Sequence, residues 1–182
     1  VNKGFDKVLV IVDVFTRQAR CIKLRTKEKE ETAYWLDIVF QKLKPRYINT
    51  DSGKEFINSD VKNVMKKYNV LHIVAQRGDH SKQGIVERLN QTLKDKLVRI
   101  MKANNTNVWV THINKLVDVY NNTKHSSTGY KPSEIKRGGA IHAELAKGNA
   151  KGQKIIYADI KVGDLVRRLV EDRIQRLAFR IR

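Results

Sequence analysis

Asp51, which opens the run DSGKEF, and Glu87, inside KQGIVERLNQTLK, are separated by 35 residues. Carboxylates gathered from two such distant places are the oxygen donors that hard divalent cations prefer, and they suit Mg²⁺ or Mn²⁺. Phosphoryl transfer between DNA strands uses two such ions about 3.5 to 4 Å apart, one activating the attacking oxygen and one steadying the leaving oxygen. Each acid also has an ordinary alternative, Asp51 as a loop cap and Glu87 as a solvated acid on a helix. Convergence of the two carboxylates is what would set the chemistry apart from those alternatives.

The elements around the two acids permit that convergence. Lys7 to Phe15 (KVLVIVDVF) is a β-branched apolar run with the character of a strand buried on both faces, and Ala19 to Leu24 is a second strand. The short turn between them predicts an antiparallel hairpin. Apolar positions at helical spacing predict a helix over Lys27 to Leu43, ended by Pro45. A strand over Arg46 to Thr50, a helix over Ser59 to Tyr68 and a strand over Val70 to Ala75 follow, and this alternation predicts a parallel pair. Asp51 then lies at the carboxyl end of a strand.

Gln76 to Gln83 is expected to be a mobile polar loop that opens a helix at Ile85. On that helix Ile85, Leu89, Leu93, Leu97 and Ile100 form one stripe, while Glu87, Asn90, Gln91 and Lys94 line another face at spacings of three and four. A further helix is expected over Val108 to Tyr120, a loop from Asn121 to Pro132, a short helix from Pro132 to Ile135 and a linker over Gly138 to Gln153. From Ile155 onward, Ile156, Ile160, Val162, Leu165, Val166 and Leu169 predict short β elements around the Gly163-Asp164 turn.

Composition narrows the partners. The 182 residues carry 37 Lys and Arg against 19 Asp and Glu, a formal charge of +18, so a polyanion, and nucleic acid first of all, is the expected partner. A ribosome-like structural role or simple solubility would share that signature. One cysteine, Cys21, excludes an internal disulfide and any zinc site that needs two thiolates, and it points to a reducing compartment. No stretch is long and apolar enough to span a bilayer, and the sequons at Asn90, Asn104 and Asn121 have no signal-like segment to deliver them for glycosylation.

DSGKEF at 51–56, KQGIVERLNQTLK at 82–94 and YNNTKHSSTGYKP at 120–132 resemble, in order and spacing, a retroviral-type integrase catalytic core. VDVFTR at 12–17 resembles that family's Asp-x-Phe-Ser-Arg strand, and VGDLVRR at 162–168 resembles the opening of the small β-barrel that follows many such cores. The flavour is that of integrases of Maverick or Polinton transposons, with gypsy-type elements next. The resemblance covers about Asn2 to Ile135. It implies an α/β fold of the ribonuclease-H-like kind, a mixed sheet flanked by helices, and it makes Asp51 and Glu87 the second and third acids of an Asp, Asp, Glu metal site.

The first acid of that triad is the difficulty. Asp13 ends an apolar strand upstream of the other two and invites the role, but the resemblance places it on the second of three antiparallel strands. The first metal-binding Asp would lie on the strand before, which is the centre of a sheet ordered three, two, one, four, five and which appears to have no residues in this chain. The expected organisation is thus a core over 1–137 lacking its first strand, a basic linker over 138–154 and part of an SH3-like β domain over 155–182. The resemblance further implies DNA contacts by Gln83, Asn90, Gln91 and Lys94, assembly as a homo-multimer on DNA ends, and a nuclear setting in a eukaryotic host. The segment RGDHSKQG departs from the family by lacking its usual prolines. His80 and Lys82 could touch phosphate, Glu55 could assist a metal from outside, and His125 could order its loop. The expected function is metal-dependent DNA integration, with the chain as it stands lacking one acid and therefore inactive. A non-catalytic DNA-binding remnant and a nuclease of the same fold are the alternatives.

Overall fold

A computed structural model describes residues 2–75 and 80–150, with the backbone alone described for 80–83 and for 149–150. The β elements expected beyond Ile155 lie outside the described residues, as do Gln76 to Asp79 of the expected loop and residues 151–154 of the expected linker.

The hairpin forms as predicted. Strand β1 (Lys7–Val12) pairs antiparallel with β2 (Ala19–Leu24), with Lys7 opposite Leu24 and Val12 opposite Ala19. β1 stops short of the expected Phe15 because Asp13 turns the chain: its Oδ1 accepts hydrogen bonds from the backbone N–H of Phe15 (2.8 Å) and of Thr16 (2.9 Å). Alternation along both strands then sorts their side chains onto two faces. Leu9, Ile11, Ile22 and Leu24 join one apolar cluster, while Val8, Val10, Val12, Ala19 and Cys21 join the other.

Helices cover both faces. On the first, α1 (Lys29–Leu43) and α2 (Ser59–Lys67) supply Leu36, Phe40, Val61 and Met65, with Leu36 and Val61 fully excluded from solvent. The connection into α1 is held by the Glu31 carboxylate, which accepts from the N–H groups of Arg25 and Thr26. α1 ends where Lys44 adopts a left-handed conformation (φ 45°) and returns its N–H to the Phe40 carbonyl, ahead of Pro45. Asn58 caps α2 through a 2.9 Å bond from Val61 N–H.

Between those helices and after them, β3 (Tyr47–Thr50) and β4 (Leu71–Val74) pair parallel, with Tyr47 opposite Leu71 and Thr50 opposite Val74. The second face of the hairpin is covered by α3 (His80–Ala103) and α4 (Ile113–Asn121), through Leu89, Leu93 and Leu97 of the first and Ile113, Leu116 and Val117 of the second. α3 packs against both β1 and β3, so one helix ties the two sheets together. Among the described residues β1 bonds only to β2, and β3 only to β4.

Three boundaries differ from expectation. α3 starts at His80 and runs through Gly84, inside what was predicted to be loop. α4 starts at Ile113, because the apolar Trp109 and Val110, both buried, are held in turns whose carbonyl of Trp109 accepts from His112 and Ile113. Where a linker was expected, α5 (Ala140–Ala150) forms. It docks by a ring contact of His142 on Phe15 (4.5 Å between centroids) and by the Tyr130 hydroxyl donating to the Glu144 carboxylate at 3.0 Å. The short helix after Lys131 is a single 3₁₀ turn, Pro132–Glu134.

Candidate functional site

Asp51 follows the last residue of β3 and is exposed. Its Oδ1 accepts from the Gly53 N–H at 3.1 Å, which folds the carboxylate back over the Asp-Ser-Gly turn. Among the described residues its other oxygen has no hydrogen-bond partner. The residue in front of it is fixed from both sides. The Thr50 hydroxyl donates to the Asp51 carbonyl at 2.8 Å and lies 2.8 Å from Nε2 of His72 on β4. A hydroxyl that has given away its one proton must accept from the other partner, so His72 carries its proton on Nε2. Burial holds the His72 pKa below its ordinary value.

Glu55 is a second acid at this strand end. A side-chain carbon on Gly53 would sit 2.5 Å from Glu55 Oε2 and 3.0 Å from Asp51 Oδ1, so the two carboxylates close on the same glycine and only glycine fits between them. Glu55 also pairs with Lys27 at 3.1 Å, which gives it a structural partner.

Glu87 sits in the third turn of α3 and is half-buried, on the helix that packs against β3. Asn90 and Gln91 are exposed and Lys94 half-buried, and with Glu87 they form the face of α3 turned away from Leu89, Leu93 and Leu97. Gln91 donates to Asp95 at 2.8 Å, a contact along the helix surface. Gln83 belongs to the first turn of α3, and its side chain lies outside the described residues, as do those of His80 and Lys82. No group of three or more His, Cys, Asp and Glu side chains able to hold a metal ion forms among the described residues.

Asp13 has a different task. Its carboxylate caps the hairpin turn, and its carbonyl accepts from Arg17 N–H at 2.8 Å. His125 does order its loop: Ser127 N–H and Oγ lie 3.3 and 3.0 Å from its Nδ1.

Sequence patterns gave no sign of a third feature. Arg17, in the hairpin turn with φ 64°, has Nε and Nη1 buried with no hydrogen-bond partner. The burial of His125 lowers its pKa, and the positive charges of Arg17 and Arg88 lower it further, so three nitrogen-bearing groups share one neighbourhood. Only the fold unites a turn, a helix and a loop so far apart along the chain.

Known proteins share this pattern. Residues 1–80 match the family model of the integrase core domain. A transposon-derived protein of Caenorhabditis elegans is 33% identical over 139 residues, 75% of this chain and 48% of that protein. The Transposon Tf2-3 and Tf2-4 polyproteins of Schizosaccharomyces pombe are each 30% identical over 137 residues, 74% of this chain and 10% of theirs. Such likenesses put the chain in the class of transposon-borne DNA-integration proteins. Within that class it belongs to the integrase core family, and it spans about half of one relative and a tenth of the polyproteins.

Proposed function

We propose that this chain is the DNA-processing core of a transposable-element integrase, a ribonuclease-H-like polynucleotidyl transferase that trims a DNA end and joins its 3′-hydroxyl to target DNA. The observation that carries this reading is the packing of α3, which bears Glu87, against β3, which ends at Asp51. Asp51 and Glu87 are the metal-binding and catalytic carboxylates in this proposal. Their oxygen donors fit Mg²⁺ or Mn²⁺ in kind, and such an ion would supply charge stabilisation to the reacting phosphate. Two carboxylates leave that ligand set one short.

The unbonded edges of β1 and β3 among the described residues, both against α3, suit one further strand between the two sheets. A strand there would join them in the order three, two, one, four, five, and its acid would complete the set. Unpaired buried backbone groups cost about 1 to 3 kcal/mol each, so such a strand would add greatly to stability. Gln83, Asn90, Gln91 and Lys94 would meet DNA beside the acids, by phosphate contact and by base-edge hydrogen bonds. The core ends near residue 137, a basic connection spans 138–154 and an SH3-like β domain begins at 155 in this reading. Assembly would be as a homo-multimer on paired DNA ends, in the nucleus of a eukaryotic host.

Strand joining in Mg²⁺, by the protein carrying the additional strand, is the test. Asp51→Asn and Glu87→Gln should each abolish joining while duplex binding persists. Full activity in either variant sinks the assignment, whereas DNA binding by a protein that never joins strands favours a non-catalytic remnant.

A further inference from the structure

Arg17 is held by its turn rather than by a partner. Its backbone takes the left-handed conformation, Asp13 clamps the turn from the other side, and Asn121 fastens the end of α4 to the start of β2 by bonds of 2.8 and 2.9 Å with Ala19. The guanidinium is thereby brought near Tyr120 and His125, whose rings stand 6.1 Å apart. A guanidinium keeps its charge under all ordinary conditions, so burying its N–H groups without acceptors is unfavourable unless something supplies them.

The oxygens at this end of α4 are already used. The Asp118 carbonyl accepts from Asn122, the Val119 carbonyl from the Thr123 hydroxyl, the Tyr120 carbonyl from Thr123 N–H, and the Ala19 carbonyl from Asn121. Asp13 Oδ1 is taken by the turn. His125 accepts through Nδ1 from Ser127 N–H, so its proton is on Nε2 and it offers a donor. Arg88, exposed on α3, bonds back to the Gly84 carbonyl through Nε at 3.2 Å, which leaves most of its guanidinium donors for another acceptor. Donors from a turn, a helix and a loop therefore meet where acceptors are spent.

We propose that Arg17, Arg88 and His125 form a binding site for one phosphate group, supplied by a nucleic-acid backbone. Phosphate offers several acceptor oxygens and negative charge to two guanidinium groups and an imidazole N–H, and charge-assisted bonds of this kind are the strong ones. The nucleic-acid source follows from the +18 charge of the chain. The site stands apart from Asp51 and Glu87 and does not depend on strand joining.

The His125 ring, followed by NMR in the whole 182-residue chain, reports on it. Titration with inorganic phosphate and with a short duplex should shift its resonances and raise its pKa, beyond the effect of chloride at equal ionic strength. Arg17→Gln should weaken the phosphate response roughly tenfold or more, and Arg17→Lys less. Arg88→Gln, on an exposed helix position, should weaken it too and serves where Arg17→Gln disturbs folding. A His125 ring indifferent to both ligands, equally responsive to chloride, or unchanged in its response in Arg88→Gln overturns the site. A response to inorganic phosphate without one to duplex overturns the nucleic-acid source.

Discussion

His72 and Thr50 tie the protein's stability to pH. His72 donates from Nε2 to the Thr50 hydroxyl, which in turn holds the Asp51 carbonyl, and burial keeps the imidazole pKa below its ordinary 6.5. The unfolded chain therefore takes up a proton near pH 6.5 that the folded chain refuses until lower pH. The stability in question is complete above the unfolded value and is lost as pH falls through the folded one. His125 acts with the same sign, burial being its largest cause and the two arginines adding to it. Urea unfolding should thus show a midpoint that declines as pH falls from 7.5 toward 5, by a modest amount because His72 is only partly buried. His72→Gln should flatten that decline, and an unchanged slope in the variant would show that the imidazole does not couple to folding.

At the scale of elements, the two helical layers predict their own hierarchy. Leu36 on α1 is fully excluded from solvent and Leu93 on α3 is 4% exposed, each inside a different apolar cluster. Truncating either to alanine should cost about 2 to 5 kcal/mol, against a total of about 5 to 15 for a domain, read as a fall in thermal or urea midpoint. A loss near zero at Leu93 would mean that α3 is not fastened to the hairpin. Between the layers Cys21 faces α3 and α4, and burial pushes its thiol pKa up to about 12, so alkylation at neutral pH should follow unfolding rather than precede it. The β1–β2 hairpin, the parallel β3–β4 pair, α1 and α2 were legible because each declares itself by local periodicity, a cap or a proline. α5 was not, since Gly138, Gly139 and a run of alanines and lysines have the composition of a linker, and what docks it is Phe15 and Tyr130 from elsewhere in the chain. α4 began late for a related reason: Trp109 and Val110 repeat at helical spacing but are buried through turns. Asp51 and Glu87 could be singled out by spacing and by motif, whereas the grouping of Arg17 with Arg88 and His125 depends on Asn121 closing α4 onto β2, which no spacing encodes.

For the whole molecule, the surplus of positive charge sets how it must meet its partner. With 37 basic side chains against 19 acidic ones, pairing every acid would still leave a net +18, and the ion pairs seen, such as Lys27 with Glu55 and Lys67 with Asp37, remove few of them. Such surface pairs contribute little to stability, so the remaining cations are better understood as a field that attracts a polyanion. Binding to duplex DNA then releases counterions from the phosphates, and affinity should fall linearly on logarithmic axes as salt rises, with a slope of about −0.9 for each phosphate neutralised. Between about 50 and 200 mM salt a loss of tenfold or more is expected, and substituting Lys94 with Gln should reduce the slope by about one while sparing the fold. Fluorescence anisotropy with a labelled duplex measures both quantities. An affinity indifferent to salt would detach the charge from DNA binding, and a Lys94→Gln protein with weaker binding but an unaltered slope would mean that this helix face meets bases or protein rather than phosphate.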